Sequence, residues 1–115
     1  MTHRRPWGQE TLWAKTGTYA AKILEIDAGH RTSLQHHQTK EETLLVLTGI
    51  VLAAVERDGE LLSRTLGPGE VLHLPPGTRH RLEAIERATL VEVSTPELDD
   101  VVRHEDDYGR CGAEG

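Results

Sequence analysis

Four side chains that favour divalent metals occur at spacings that a β-sheet could bring together. Gln35 and His37 are two residues apart, and residues two apart on a strand point to the same face of the sheet. Glu42 opens an apolar run after a polar turn, so it can enter that face from a neighbouring strand, and His80 follows a Pro-Pro-Gly turn. One amide oxygen, one carboxylate and two imidazoles suit Zn, Mn, Fe, Co or Ni and leave positions open for a substrate.

Each of these residues, taken alone, has a simpler interpretation. A single strand histidine is usually a surface or hydrogen-bonded residue, and a glutamate at the start of a strand is usually solvated. The joint spacing is what favours a metal site. His36 lies between two of the candidate ligands, and strand alternation predicts that its side chain points away from the metal, towards the surface.

The segments of the sequence that must position these residues are predicted to be β-strands. From about residue 18, short apolar runs alternate with turn signals, which predicts an all-β fold of antiparallel strands in a sandwich or small barrel. Asp58-Gly59 is a two-residue hairpin signal. Further turns are predicted where Pro presets φ and Gly accepts positive φ, at residues 67–69 and 75–77.

The two ends of the chain are predicted to differ from this strand pattern. Residues 1–15 are expected to lie over the barrel as an arm, anchored by the apolar side chains of Trp7 and Trp13. The segment TPELDDVVRHEDD is expected to be partly helical, with Thr95 as the cap and Pro96 at the first helical position.

Length and composition limit the class of protein. A chain of 115 residues suits one domain with one core. The net charge of −6 argues against non-specific nucleic-acid binding, which needs a basic face. No apolar run approaches the ~20 residues of a membrane span, and the first residues lack the apolar stretch of a signal peptide, so we expect a cytoplasmic protein. The lone Cys111 cannot form an internal disulfide and is expected to be an exposed thiol.

Two spaced motifs run through the candidate site. The first is Gly29-x5-Gln35-x-His37-x4-Glu42-x6-Gly49, and the second is Gly69-x5-Pro75-x-Gly77-x2-His80. They resemble the two motifs of the cupin superfamily, with Gln35 in place of the first histidine and Ala84 where the second motif usually ends in Asn. The resemblance implies one cupin domain over residues 1–115, a double-stranded β-helix or jelly-roll barrel. Its core would span about residues 17–95, with arms at 1–16 and 96–115.

A narrower resemblance rests on RPWG, YAAK, SLQ, PPGTRHRLE, VEV and DDVVRHEDDYGR, which begin at residues 5, 19, 33, 75, 91 and 99. These stretches are similar to the type II phosphomannose isomerase domain, which forms the C-terminal part of bifunctional mannose-1-phosphate guanylyltransferases and also occurs alone. The similarity implies one divalent ion, zinc first and otherwise Mn, Fe, Co or Ni. Its ligands would be Gln35, His37, Glu42 and His80. The chain departs from the family pattern at Thr39, Lys40, Thr43 and Leu44, where the family carries His, Arg, His and Trp.

The resemblance implies the interconversion of mannose 6-phosphate and fructose 6-phosphate through a cis-enediol. That reaction needs a base within hydrogen-bond reach of C1 and C2. Counting by two along the strand LVEV predicts that Glu92 faces inward, and its match to the family makes it the leading base. Lys22 is a second candidate for proton transfer or for polarising an oxygen. An ion pair that closes the barrel wall is an equally good interpretation of both residues.

A phosphate group needs guanidinium or ammonium donors. We expect them from Arg110, Arg79 and Arg5, in that order, although a single arginine is more often a surface residue. The family-like segments at the two ends suggest that both termini fold over the mouth of the barrel. Small barrels of this kind often pair through an outer sheet face, so a homodimer is also expected.

Two other classes of function remain open. His37, Glu42 and His80 alone would form the two-histidine, one-carboxylate triad of non-haem iron oxygenases, which would make the protein a cupin dioxygenase. The additional oxygen ligand from Gln35 argues against that interpretation. The chain could also be a non-catalytic cupin that binds a sugar or a metal, and the four departures near the pocket fit this alternative. No DNA-binding element is recognised in the sequence.

Overall fold

The computed structural model describes residues 1–110, which form nine strands and no helix. The prediction of an all-β fold is therefore confirmed, and Cys111 lies outside the described residues. None of residues 1–110 belongs to a helix that could cross a membrane. The strands are β1 (Thr2–Arg5), β2 (Gly8–Lys15), β3 (Ala20–Ile26), β4 (Leu34–His36), β5 (Glu42–Arg57), β6 (Glu60–Leu66), β7 (Val71–Leu74), β8 (His80–Ser94) and β9 (Val102–Glu105).

Two long strands, β5 and β8, hold the fold together because each belongs to both halves of a curled sheet. The first part of β5 pairs with the second part of β8, with β3, β2 and β1 beyond β8 and β7 on the other side. The second part of β5 pairs with the first part of β8, with β4 and β9 beyond β8 and β6 on the other side. All these pairs are antiparallel, as the sequence predicts.

Gly49 lies where β5 passes from one half of the sheet to the other. The register between β5 and β8 shifts three times between Val46 and Val51. Gly49 has φ of 86°, and a Cβ atom there would lie 2.2 Å from the carbonyl oxygen of Arg87 on β8. Only glycine combines this left-handed backbone with so close an approach of two strands.

Strand alternation places the core between the two halves of the sheet. Along β5 and β8, every second residue is buried on either side of the register shifts. The inward residues of these strands include Leu44, Val46, Ala53, Leu82, Ala84 and Leu90. The hairpin between β5 and β6 turns at Asp58 and Gly59, with φ of 51° and 82°, which confirms the predicted two-residue turn.

The ends of the chain only partly follow the expectations from sequence. Residues 1–15 contribute β1 and β2 to the sheet, and Trp7 is buried in the core as expected. The prediction for Trp13 is wrong, because a β-bulge between Leu12 and Ala14 leaves its side chain 57% exposed.

The predicted helix near the C-terminus is also wrong. Residues 95–101 form turns, and β9 then pairs with β4. The physical reason lies at Asp100, whose carboxylate accepts hydrogen bonds from the backbone of a different loop instead of supporting a helix. The following Val101-Val102 pair is β-branched and favours an extended backbone.

Candidate metal centre

Three strands bring the predicted ligands to one place inside the curled sheet. Gln35 on β4 lies directly opposite His80 on β8, so both side chains point to the same face. His37 follows the end of β4, and Glu42 begins β5. One ligand atom from each of His37, Glu42 and His80 lies within 4.8 Å of the others. The Nε2 atoms of His37 and His80 are 3.4 and 3.9 Å from the Glu42 carboxylate, and the three residues are buried.

The hydrogen bonds of the two histidines prepare both rings for a cation. Nδ1 of His37 donates to the carbonyl of Asp100, and Nδ1 of His80 donates to the carbonyl of Thr78 at 3.0 Å. A carbonyl oxygen can only accept, so the proton sits on Nδ1 and the lone pair of Nε2 faces Glu42. Burial is the main reason that the pKa of each imidazole is lowered, which keeps both rings neutral at pH 7.

Two buried atoms of this cluster, Nε2 of His37 and Oε2 of Glu42, have no hydrogen-bond partner among the described residues. Nζ of Lys40 lies 3.0 Å from Oε2 of Glu42, whereas no cationic side chain of residues 1–110 makes such a contact with Nε2 of His37. A buried polar atom left in this state is costly, and a cation would satisfy it. Gln35 also fits, because its Oε1 accepts a hydrogen bond from Ser33 at 2.7 Å and keeps a second lone pair. The residues present therefore suit a divalent ion, and Gln35 as the fourth ligand stays a prediction.

A cavity opens beside the cluster, and its charge is opposite to that of the chain. It holds about 730 Å³ of space when the open solvent at its mouth is included. Three carboxylates line it, Glu10, Glu42 and Glu92. Five cationic side chains also line it: Arg5, Lys22, Lys40, Arg103 and Arg110. A cationic excess in a chain of net charge −6 favours an anionic ligand.

Lys40 is a member of the site that the sequence analysis noted only as a departure from the family pattern. Its side chain is 5% exposed, and Nζ lies 3.0 Å from Oε2 of Glu42 and 3.0 Å from Oε2 of Glu92. Burial alone would lower the pKa of Lys40, but the two carboxylates outweigh it and raise the pKa above its ordinary value. Lys40 could have been found from the sequence, because it is two residues from Glu42 and that spacing places the two side chains on one face.

Glu92 lies inside the cavity, as the alternation along β8 predicts, with 5% of its surface exposed. Burial raises its pKa, and the neighbouring Glu42 raises it further, against the opposing effect of Lys40. Lys22 lies opposite Glu92 in the pairing of β3 with β8. The closest carboxylate to Lys22 is nevertheless Glu10, whose Oε1 is 3.3 Å from Nζ.

Glu10 is a second residue that the sequence analysis missed. It accepts hydrogen bonds from Arg5, at 2.6 Å to Nη2, and from Lys22. Burial would raise the pKa of Glu10, but Lys22 and Arg5 outweigh it and lower the pKa below its ordinary value. For Lys22, an ion pair was the alternative to a catalytic role, and the structure contains such an ion pair with Glu10. Strand alternation from Gly8 could have placed Glu10 on the inner face.

The predicted phosphate-binding arginines separate into two groups. Arg5 and Arg110, from opposite ends of the described chain, both line the cavity. Arg110 is oriented by Asp106, at 2.9 and 3.1 Å, and its guanidinium lies over the ring of Tyr108. Arg79 does not line the cavity. It pairs with Glu56 at 3.2 Å, because the residue before the inward-facing His80 must point outward.

Two further side chains come from β9 and β4, the strands that carry Arg103 and His36. Arg103 on β9 lies opposite Gln35 and lines the cavity, although the sequence analysis did not single it out. Arg103 could have been found from the sequence because it belongs to the stretch DDVVRHEDDYGR, which resembles the family. His36 points away from the ligands, as predicted, and its Nδ1 lies 2.8 Å from Nε2 of His104 on β9.

The curled antiparallel sheet and its buried His-Glu-His cluster define a cupin with a candidate metal site. Among solved structures, KdgF from Halomonas sp. aligns with a TM-score of 0.74 and 26% identity over 84% of each chain. A variant of the Bacillus subtilis oxalate decarboxylase OxdC aligns with a TM-score of 0.80 over 90% of this chain and 30% of the other, and at 15% identity it supports the fold alone.

Within the cupins, residues 1–106 match the family described as "Mannose-6-phosphate isomerase C-terminal", and the chain belongs to that family. It is 36% identical to the mannose-1-phosphate guanylyltransferase ManC of Salmonella typhimurium over 92% of this chain. It is 32% identical to the xanthan biosynthesis protein XanB of Xanthomonas campestris over 92% of this chain. The chain spans only 22% and 23% of those two relatives.

Proposed function

We propose that this chain is a metal-dependent isomerase of a sugar phosphate, of the mannose 6-phosphate and fructose 6-phosphate type. The observation that carries the proposal is the arrangement of Glu92 and Lys40. Both are buried, they contact each other, and Lys40 also contacts the candidate metal ligand Glu42. A carboxylate and an ammonium beside a metal centre are the groups that proton transfer next to a carbonyl requires.

The metal would be held by His37, Glu42 and His80, with Gln35 as the fourth ligand. A divalent ion held by these residues would supply Lewis-acid chemistry to the oxygens of a hydroxy-carbonyl unit. Zinc is the first choice, and a set of nitrogen and oxygen ligands without sulfur also accepts Mn, Fe, Co or Ni.

Glu92 is the proposed base. Its carboxylate would take the proton from C2 of the aldose and return it to C1, while a second proton passes from the oxygen on C2 to the oxygen on C1. The intermediate is the cis-enediol, and no electrons leave or enter the sugar. The raised pKa of Glu92 makes it a stronger base than an exposed carboxylate. Lys40 would stabilise the negative charge that develops on the oxygens, because burial strengthens the attraction.

The phosphate would bind at the arginine side of the cavity. Arg5 and Arg110 come from opposite ends of the described residues and line the same cavity, and Arg103 lines it from β9, opposite Gln35. Guanidinium groups bind phosphate through paired hydrogen bonds. Lys22 is bound to Glu10 and serves as a weaker candidate for proton transfer in this proposal.

The test is a coupled assay that follows the conversion of mannose 6-phosphate to fructose 6-phosphate. The purified chain is stripped of metal and then supplied separately with Zn, Mn, Co or Ni. His80→Ala, which removes one imidazole ligand, serves as the blank. We expect turnover with at least one metal and none above background in the blank.

Absence of turnover from folded, metal-loaded protein with every metal would contradict the proposal. The chain would then be a cupin with another substrate or a non-catalytic binder of a sugar or a metal. Iron in the purified protein together with consumption of dioxygen would favour the dioxygenase alternative.

A further inference from the structure

The loop between β4 and β5 carries two of the candidate ligands at its borders. His37 lies at its start and Glu42 at its end, while Gln38 and Thr39 are exposed and Lys40 is buried. No strand pairing involves residues 38–40. A short loop of this kind needs another source of order if it is to hold two ligands in one geometry.

Asp100, more than sixty residues later in the chain, supplies that order. Its Oδ1 accepts a hydrogen bond from the backbone N–H of Gln38 at 3.1 Å. Its Oδ2 accepts from the N–H groups of Thr39, at 2.7 Å, and Lys40, at 2.9 Å. Three consecutive amides thus converge on one carboxylate, which is a backbone nest for an anion. These hydrogen bonds lower the pKa of Asp100 and keep it ionised.

The main chain of Asp100 also forms a hydrogen bond with one of the candidate metal ligands, His37. The carbonyl of Asp100 accepts the Nδ1–H of His37, which fixes the tautomer and the orientation of that ring. The side chain therefore holds the loop while the main chain holds the histidine. Asp100 also stands where the C-terminal segment leaves β8 for β9, so it couples that segment to the metal centre.

We propose that Asp100 is a positioning residue for the metal centre, which sets the affinity for the ion by fixing His37 and the loop from Gln38 to Lys40. The inference rests on the metal centre of the proposed function but not on its reaction. Hydrogen-bonding partners behind metal ligands typically change metal affinity about 10–100-fold when they are removed.

The test compares Asp100→Asn with Asp99→Asn. Asparagine keeps the shape of Asp100 and one acceptor oxygen, but its NH2 group would face N–H donors. Asp99 is exposed, and its side chain has no hydrogen bond or ion pair among the described residues, so its substitution removes the same charge without a contact. Zn²⁺ affinity is measured by competition with a chromophoric chelator, well below the melting temperature of each variant.

We expect Asp100→Asn to bind Zn²⁺ about 10–100-fold more weakly than the wild type, and Asp99→Asn to match the wild type. Equal affinities for the two variants would overturn the proposal. So would a lower melting temperature of metal-free Asp100→Asn with unchanged Zn²⁺ affinity, because that result assigns Asp100 to the fold alone.

Hydrogen exchange of the wild-type chain provides a second test that needs no variant. The side chains of Gln38 and Thr39 are exposed, so protection of their amides depends on the hydrogen bonds to Asp100. We expect these amides to be protected in metal-free protein, and exchange at the rate of an unstructured peptide would overturn the proposal. Neither readout requires turnover. Loss of Zn²⁺ affinity in Asp100→Asn without isomerase activity in the wild type would refute the proposed reaction and leave this inference intact.

Discussion

At the scale of single residues, positively and negatively charged side chains alternate across the site. Arg5 and Lys22 contact Glu10 at one side of the cavity, and Lys40 contacts both Glu92 and Glu42 at the other. Each carboxylate is buried, and a buried charge persists only when it is paired or coordinates a metal. Removing one member should therefore leave an uncompensated charge, with measurable effects on stability and function.

Lys40→Met should destabilise the metal-free protein, because Glu42 and Glu92 would face each other without the ammonium between them. We expect the free energy of unfolding to fall by about 3 kcal/mol, as for other buried ion pairs that lose one partner. Urea denaturation measures the loss. Saturating Zn²⁺ should recover part of it by neutralising Glu42. Lys15→Met, at an exposed position of β2, is the control and should change stability little. Equal stability of both variants would show that Lys40 does not compensate the two carboxylates.

Glu92→Gln should slow proton transfer without removing the metal. We expect kcat to fall by about 10²-fold or more, which is the usual contribution of a general base, while Zn²⁺ content stays at the wild-type value. The coupled assay and metal analysis of the same sample give both numbers. Glu86→Gln, on the same strand but exposed, should retain the wild-type kcat. A Glu92→Gln enzyme with wild-type kcat would remove Glu92 from the mechanism.

At the scale of elements, β5 and β8 determine where the ligands lie, because both strands pass through both halves of the sheet. Much of this could be predicted from the sequence. The period of two predicted that Glu92 faces inward, and Asp58-Gly59 predicted the hairpin. The two-residue spacing could place Lys40 on the face of Glu42. Its contact with Glu92 and the contacts of Asp100 could not be predicted, because they depend on how the loop before β5, the strand β8 and the turn after β8 meet across the fold. The C-terminal helix prediction failed for the same reason, since local capping signals do not include distant hydrogen bonds.

Gly49→Ala should lower the free energy of unfolding, because Gly49 lies where β5 passes between the two halves of the sheet. Gly59 offers a matched control, because both glycines have positive φ but only Gly49 faces a neighbouring backbone. We expect Gly59→Ala to cost about 1 kcal/mol from the backbone conformation alone. Gly49→Ala should cost about 3 kcal/mol or more, since the added methyl group also meets the carbonyl of Arg87. Urea denaturation compares the two, and equal losses would contradict the close approach of β5 and β8 at Gly49.

At the scale of the whole molecule, the two ends of the described chain meet at the cavity that the middle of the chain builds. The end of β1 brings Arg5 to it, the turn before β2 brings Trp7, and the segment after β8 brings Arg103 and Arg110. Ion pairs tie that last segment to the rest of the fold, including Arg31 with Asp107 at 2.7 and 2.9 Å. The sequence predicted this convergence only through resemblance, because no local pattern states that two termini share one site.

Arg110→Gln should weaken the binding of a phosphorylated substrate while leaving the metal centre intact. We expect the KM for mannose 6-phosphate to rise about tenfold or more, because a charge-assisted pair with phosphate is lost, with little change in Zn²⁺ affinity. Steady-state kinetics and chelator competition provide the two values. Arg64→Gln, which removes an exposed arginine outside the cavity, is the control. An unchanged KM in Arg110→Gln would place the phosphate elsewhere.

The most direct measurement is proton NMR of mannose 6-phosphate incubated in D2O with the zinc-loaded chain. If the chain is this isomerase, fructose 6-phosphate appears and deuterium accumulates at C1 of the ketose and C2 of the aldose over repeated turnovers, because the proton carried by Glu92 can exchange with solvent. Folded, metal-loaded protein that forms no ketose and leaves the C2 proton signal unchanged would contradict the proposed isomerase activity.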